Sequence, residues 1–288
     1  MRPDYLLLGH FTRDILPDRS TIPGGTSLYA SLTAQRLGRQ VGVVSAPADL
    51  PASWPPEIKL AFFTSPTPTF ENIYRSEGRQ QILHSAATPI ALEHIPADWR
   101  GAPVVHLGPI LAETPVDLVF QFPGALIGAT PQGWMRTWPS ELPGPISYRP
   151  WQPDAAVLAR IDALVLSIED VRGDEALAAS YSAHCRLVVV TRGPLGATLY
   201  LDGLPHQVSA FPAAERDPTG AGDVFAATLI TRLHETGDPL AAAHFAAFVA
   251  ARSIEGVGIS TIPSRDVIDA SVAAATARGQ AHSAGASS

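Results

Sequence analysis

The chain has 288 residues, 46% of them hydrophobic and 16% charged, with a formal net charge of −7. Such a balance allows a substantial buried core and gives no global electrostatic reason to bind nucleic acid or anionic lipid. Cys185 is the single cysteine, so an intrachain disulfide framework is excluded, and no apolar run approaches the length of a membrane span.

The apolar run before Gly9 is too short for the apolar region of a signal peptide and reads as a buried first strand, Tyr5 to Leu8. A cytoplasmic protein is therefore expected. Gly24-Gly25 opens a small and apolar stretch, Thr26 to Leu37, that fits a helix closed by Gly38, and Val41 to Ser45 reads as the next strand. Between Ile58 and Leu83 come short strand-like runs, with Glu77-Gly78 as a tight turn. These are expected to form a small β layer together with Ile15 to Ile22. From Val104 the alternation of apolar strand and helix returns, with strands at Val104 to Leu107, Ala125 to Gly128, Ala163 to Leu166 and Leu187 to Thr191. Repeated units of this kind predict a mainly parallel sheet with helices on both faces. Alanine-rich helices are expected at about 221–234 and 240–253, a last surface helix at 264–278, and a disordered tail at 279–288.

The segment Asp217-Pro-Thr-Gly-Ala-Gly-Asp223, followed by Val-Phe-Ala-Ala-Thr-Leu-Ile, carries the chemistry. Gly220-Ala221-Gly222 is small enough for backbone amides to approach a ligand closely. It opens a helix, where unpaired N–H groups and the dipole favour an anion. Asp223 falls in the first helical turn. There it either complements the dipole or, beside an anion, takes a proton from an attacking hydroxyl.

The full string closely resembles the C-terminal signature of ribokinase-like (PfkB-type) carbohydrate kinases. That resemblance implies a three-layer α/β/α domain over residues 1–278, with a small β-strand lid from about 11–22 and 58–84. It implies ATP-dependent phosphoryl transfer to a hydroxyl of a small polyol (a sugar, an inositol or a nucleoside). Asp223 would be the base, and Gly220, Ala221 and Gly222 the anion hole. The rival expectation is a non-catalytic sugar- or nucleotide-binding regulatory member of the same fold.

Other motifs follow in family order, and their roles here are what the resemblance implies. Asp14, Gly24 and Gly25 match substrate-binding positions, and Asn72 lies in the lid strand that faces the acceptor. Thr191-Arg192-Gly193-Pro-Leu-Gly196 resembles the turn beside the nucleotide phosphates. Gly256-Val-Gly258 falls where members close the adenine pocket. Asp217 and Thr219 match a monovalent-cation site, suited to K+. Where the family carries Asn-x-x-Glu for Mg2+, this chain has Ser167-Ile-Glu169-Asp170, which leaves Glu169 or Asp170 as the metal-shell carboxylate.

No lysine-based P-loop string exists and Lys59 is the only lysine, so phosphate would be met by backbone amides, arginine and Mg2+. With so little lysine a neutral acceptor fits better than a phosphorylated one, and an inositol is favoured. The partners expected are a small-molecule acceptor and a second copy docked through the lid. In Pro131 to Trp138, Trp134 and Trp138 read as one packed helix face, with Gln132, Trp134 and Arg136 as alternative acceptor-side residues.

Overall fold

The structure is a computed structural model and describes residues 2–75 and 78–270. Tyr5–Leu8 is buried throughout and lies inside a nine-stranded sheet. Its spatial order is Leu204–Val208, Ala197–Leu201, Leu187–Thr191, Ala163–Ser167, Leu126–Ala129, Val104–Leu107, Tyr5–Leu8, Val41–Ser45, Lys59–Phe62. The strands from Leu187–Thr191 to Lys59–Phe62 run parallel. Ala197–Leu201 is antiparallel to both its neighbours.

Side chains alternate across this sheet, as strand geometry requires. Leu6, Leu8, Val105 and Leu107 enter one core with α2 (Ala155–Arg160) and α3 (Glu175–Ser180). The opposite-facing Tyr5, Leu7, Val43 and Val104 pack under α1 (Thr26–Arg36) and α4 (Ala221–Thr236). Val165, Val189 and Leu199 pack under α4 and α5 (Pro239–Ser253). Both faces are thus covered, giving the expected three-layer α/β/α arrangement. Local chemistry sets the junction of α4 and α5. Gly237 closes α4 in the left-handed region, and the Asp238 side chain then caps α5 through the N–H groups of Leu240 and Ala241, with Pro239 behind it. Such a cap contributes about 1 kcal/mol.

A five-stranded sheet stands off the C-terminal edge of the main one, in the order Gly144–Pro145, Gly78–Ser85, Thr69–Arg75, Thr12–Ile15, Thr21–Gly24. The lid differs from expectation in two ways. Lys59–Phe62 extends the main sheet beside Val41–Ser45 instead of joining the lid, because its pairing is parallel and continuous with the core strands. Gly144–Pro145, far along the chain, supplies a lid strand that no local pattern announces. Glu77 of the expected Glu77-Gly78 turn, the helix beyond residue 270 and the tail at 279–288 lie outside the described residues, while Gly78 is the first residue of a lid strand. Among the described residues no helix is long and apolar enough to cross a membrane.

Candidate active site

Two helices begin side by side at the C-terminal edge of the sheet, and each is preceded by a glycine at positive φ. Gly25 opens α1 at φ 86° and Gly220 opens α4 at φ 78°. At Gly220 glycine is required twice over: the backbone is left-handed, and a Cβ would come within 2.2 Å of the Tyr29 ring. Gly222 faces open space, with no atom within 4 Å of where its Cβ would sit. Tyr29 therefore supports the turn from below, while above it lies room for a group held at the helix start.

Asp223 lies in the first turn of α4 and accepts a hydrogen bond from the side chain of Thr26, the first residue of α1. The residue keeps partial exposure, but its carboxyl is packed densely enough that desolvation dominates. Burial, reinforced by the negative charge of Asp170, raises its pKa to about 6, against the lowering by Thr26 and Arg136. The carboxylate is thus ionised at neutral pH yet basic enough to take a proton. Tyr29 records the same convergence: its phenol is pushed up by burial first, and then by Asp217, Asp223 and Asp14 together.

The turn after Ala163–Ser167 settles which carboxylate looks inward. Asp170 Oδ2 accepts the Ser167 N–H at 2.9 Å, and Oδ1 accepts Gln132 Nε2 at 2.9 Å. Glu169 is exposed and turned outward, its own N–H donating to Ser167 Oγ at 3.1 Å. Among the described residues no group of three or more His, Cys, Asp and Glu side chains is placed to hold a metal ion. The donor set nevertheless fits a divalent cation carried largely by water and phosphate. Asp170 and Asp223 repel each other electrostatically, and a cation between them would relieve that repulsion.

Beside the start of α4, Asp217 joins two segments that the sequence keeps apart. Its Oδ1 accepts the Thr219 N–H at 3.0 Å and its Oδ2 the Gly258 N–H at 2.8 Å. Burial alone would raise its pKa, but hydrogen bonds from Thr219 and Gly258 outweigh that and hold the carboxyl below its ordinary value. Thr219 itself is exposed, and Gly256 is buried in the turn that leads to Gly258. Arg192 is differently engaged than a phosphate-binding role requires. Its guanidinium pairs with Glu175 at 2.6 Å and donates to Thr198 Oγ1 at 2.7 Å, while Thr191 Oγ1 lies 3.4 Å from the Leu166 carbonyl. Gly193 and Gly196 provide the positive-φ corners of that turn, at 53° and 86°.

On the lid side, Asp14 occupies a strand directly over Gly24. Its Oδ2 stands 2.7 Å from where a Gly24 Cβ would sit, and Thr12 Oγ1 donates to Oδ1 at 3.3 Å. Asn72 lies further out on the lid, its Oδ1 accepting from Gln81 Nε2 at 3.2 Å. Arg136 was only an alternative on sequence grounds, yet it comes to the centre of this side. It donates to the Ile110 carbonyl at 2.8 Å, stands 6.0 Å from the ring centre of lid residue Phe70, and acts electrostatically on Asp223. The expected shared helix face of Trp134 and Trp138 does not form. A short 3-10 turn, Pro131–Met135, ends before Trp138. Trp134 then stacks on Trp151 at 4.7 Å, while Trp138 joins the cluster around Phe70. Gln132 and Arg136, both named as alternatives from the sequence, reach the site, one donating to Asp170 and the other to the Ile110 carbonyl.

An open, mainly parallel sheet with a β lid, and a glycine-capped helix start beside a carboxylate, define an α/β protein with an open turn at its sheet edge. Residues 162–265 match the family model for pfkB family carbohydrate kinases. The fold is shared by a pyrophosphate-dependent kinase of the ribokinase family complexed with a pyrophosphate analogue and myo-inositol. That structure is 21% identical, with a TM-score of 0.74 over 93% of this chain and 99% of that one. Ribokinase from Arabidopsis thaliana, complexed with ribose and ATP, gives 17% identity and a TM-score of 0.67 over 93% and 98% of the two chains. In sequence, an inositol 3-kinase from Oryza sativa subsp. japonica is 28% identical over 282 residues, covering 89% of this chain and 69% of that protein. Over residues 162–265 the chain is thus similar to the pfkB family carbohydrate kinases, and its fold is the one found in ribokinase-family structures.

Proposed function

We propose that this protein transfers a phosphoryl group from ATP to a hydroxyl of a small neutral polyol, with an inositol as the favoured acceptor. The observation that carries this reading is Asp223: a carboxylate with a pKa of about 6, one residue past an open glycine turn at a helix start. The acceptor hydroxyl donates its hydrogen bond to Asp223, which takes the proton as the oxygen attacks. Backbone N–H groups of Gly220 and Gly222 face the transferring phosphoryl group and hold its developing charge, while the Ala221 N–H closes the turn on the Pro218 carbonyl at 3.2 Å. Asp14 and the Gly24-Gly25 turn orient the polyol, Asn72 adds a lid contact, and the lid excludes water that would otherwise receive the phosphoryl group.

A bound Mg2+ would neutralise donor phosphate charge. Asp170, fixed by Ser167 and Gln132, is the residue to hold its water shell, while the outward-facing Glu169 is not. The Asp217–Thr219 loop, pinned to Gly258, is proposed as the K+ site that stiffens the anion hole. On the donor side, the Thr191–Gly196 turn lines the phosphates, with Gly193 at its outer corner and the Gly196 N–H held inside the turn on the Gly193 carbonyl. Arg192 acts by bracing this turn through Glu175. The exposed lid strand Thr21–Gly24 is the proposed contact for a second copy, which a sedimentation measurement would detect.

A second donor is favoured by one feature. Phe211 packs edge-on against Phe248 at 5.4 Å, Arg252 donates to the Pro212 carbonyl, and the Ala214 N–H donates to Glu255 at 3.3 Å. These contacts fasten residues 211–214 onto the end of α5, beside the Gly256–Gly258 turn where family members close the adenine pocket. Pyrophosphate, which has no base to accommodate, fits that arrangement. The test is phosphate transfer to a panel of sugars, inositols and nucleosides, with ATP and pyrophosphate offered separately alongside Mg2+. Turnover with either donor on a polyol supports the kinase reading, and the preferred donor decides between the two. Polyol or nucleotide binding without transfer to any acceptor would instead establish a binding protein.

A further inference from the structure

Glu113 is a buried acid that phosphoryl transfer does not require, only 2% exposed in the loop that leaves Val104–Leu107. Its two carboxylate oxygens do separate jobs: Oε1 accepts the Ile110 N–H at 2.8 Å and Oε2 the Leu111 N–H at 2.6 Å. Its backbone carbonyl accepts the Ile90 N–H at 2.7 Å, tying in the segment by which the chain returns from the lid. Burial pushes the Glu113 pKa up to about 7, against the two N–H donors and Arg136. A carboxylate kept in such a place acts through what it holds.

What it holds is the junction between lid and sheet. The side chains of Ile110 and Leu111 form one buried cluster with lid residues Phe70 and Leu83. The Ile110 carbonyl, on the same peptide segment, receives Arg136 at 2.8 Å. The 3-10 turn before Arg136 rests on this loop too, with the Gly133 N–H donating to the Pro109 carbonyl at 3.0 Å and Trp134 Nε1 to the Thr114 carbonyl at 2.7 Å. Phe70 pairs in register with Asp14 across the lid strands. One carboxylate thus fixes a five-residue loop that carries the lid on its side chains and the acceptor-side arginine on its backbone.

We propose that Glu113 is the positioning residue of the acceptor side, locking the 109–113 loop so that the lid and Arg136 stand at fixed places around the hydroxyl to be phosphorylated. This deepens the kinase reading and rests on it for its acceptor. The geometry also makes Arg136 a determinant of which polyol is taken: a planar donor group between Phe70 and Asp223 selects for adjacent hydroxyls in one orientation.

The test compares the full-length wild type with Glu113→Gln, Arg136→Met and Arg136→Lys, using myo-inositol as acceptor and the donor that supports turnover. Glutamine keeps one acceptor oxygen and turns an amide toward the second backbone N–H. Glu113→Gln should raise the acceptor KM about tenfold or more, while the donor KM stays within about twofold. Arg136→Met should do the same, and Arg136→Lys should recover part of the loss. Equal rises in both KM values, or none, would overturn the proposal. Amide hydrogen exchange supplies a readout that needs no turnover. In Glu113→Gln, exchange at Ile110, Leu111 and the Thr69–Arg75 strand should speed up at least about tenfold over the wild type. Unchanged exchange there removes Glu113 from the lid junction. A wild type that phosphorylates nothing would sink the kinase reading, and the exchange result would still decide the positioning claim. If Glu113→Gln does not fold, the KM split in the Arg136 variants decides: a split confined to the acceptor supports the positioning of Arg136 by the 109–113 loop, and its absence overturns it.

Discussion

Two turns meet at the C-terminal edge of the sheet, and they are held in opposite ways. The chemistry of the Asp217–Asp223 turn lies within one short string: its glycine conformation, the start of α4 and the carboxylate all come from it, with Tyr29, Thr26 and the Gly258 N–H on Asp217 as outside supports. The Ser167–Asp170 turn depends on a distant partner. Asp170 takes one hydrogen bond from its own turn, but its second comes from Gln132, 38 positions earlier. A locally determined turn tolerates little change within itself. A turn completed from elsewhere depends on that partner, as Asp170 depends here on Gln132.

The largest effect should follow from removing the carboxylate of the first turn. Asp223→Asn is expected to lower kcat by about 10²- to 10⁴-fold in a phosphoryl-transfer assay, whereas Asp223 serving only as a helix-dipole partner would leave kcat within a few-fold. The same substitution should stabilise the fold. The folded pKa of about 6 lies above the ordinary 3.8, so between those values the native state holds more protons than the unfolded chain. Stability is therefore lost as pH rises through that window. At pH 7 Asp223→Asn should gain on the order of 1–2 kcal/mol, a figure reduced to allow for solvent at the site, and the gain should vanish below about pH 4. Denaturant titration at the two pH values checks the sign.

Next in size is Gly220→Ala. Left-handed backbone and the Tyr29 ring act together, so thermal unfolding should show a loss of about 1–3 kcal/mol. Gly222→Ala, with open space around it, should leave stability within about 0.5 kcal/mol and still impair transfer by filling the space over the turn. Equal destabilisation by the two alanines would contradict the distinct roles of the glycines.

The second turn sharpens the comparison. Gln132→Leu frees one oxygen of Asp170 without touching the first turn, and should weaken Mn2+ binding, read by electron paramagnetic resonance, by about tenfold. Unchanged affinity would mean that Gln132 plays no part in orienting Asp170. Smallest of all should be Arg192→Met. Its partner Glu175 is more than half exposed at 55%, so the pair contributes less than about 1 kcal/mol, and the donor KM should shift only modestly.

The same contrast explains what could be read from sequence. The core strands were legible because each is a short apolar run bounded by glycine or polar residues, as at Tyr5–Leu8 and Leu187–Thr191. Helices α4 and α5 were legible from composition and caps. The lid was legible only in outline. Lys59–Phe62 has the pattern of either sheet, and what assigns it to the main one is parallel pairing with Val41–Ser45. Gly144–Pro145 is too short for any periodicity, and lid residues 81–83 determine its pairing. Within the site, the Asp217–Asp223 string announced itself. Glu113 did not, because a lone glutamate in a loop carries no sign that its carboxylate will be buried on two backbone amides.

The pH dependence of kcat/KM for the preferred acceptor, measured in wild type and Asp223→Asn, bears most directly on the role of Asp223, since it reports the free enzyme's essential groups. Activity should rise with pH along a limb centred near 6 in the wild type, and that limb should be missing from the residual activity of Asp223→Asn. A wild-type profile that is flat from pH 5 to 8, or a limb that survives unchanged in Asp223→Asn, would contradict the assignment of Asp223 as the base.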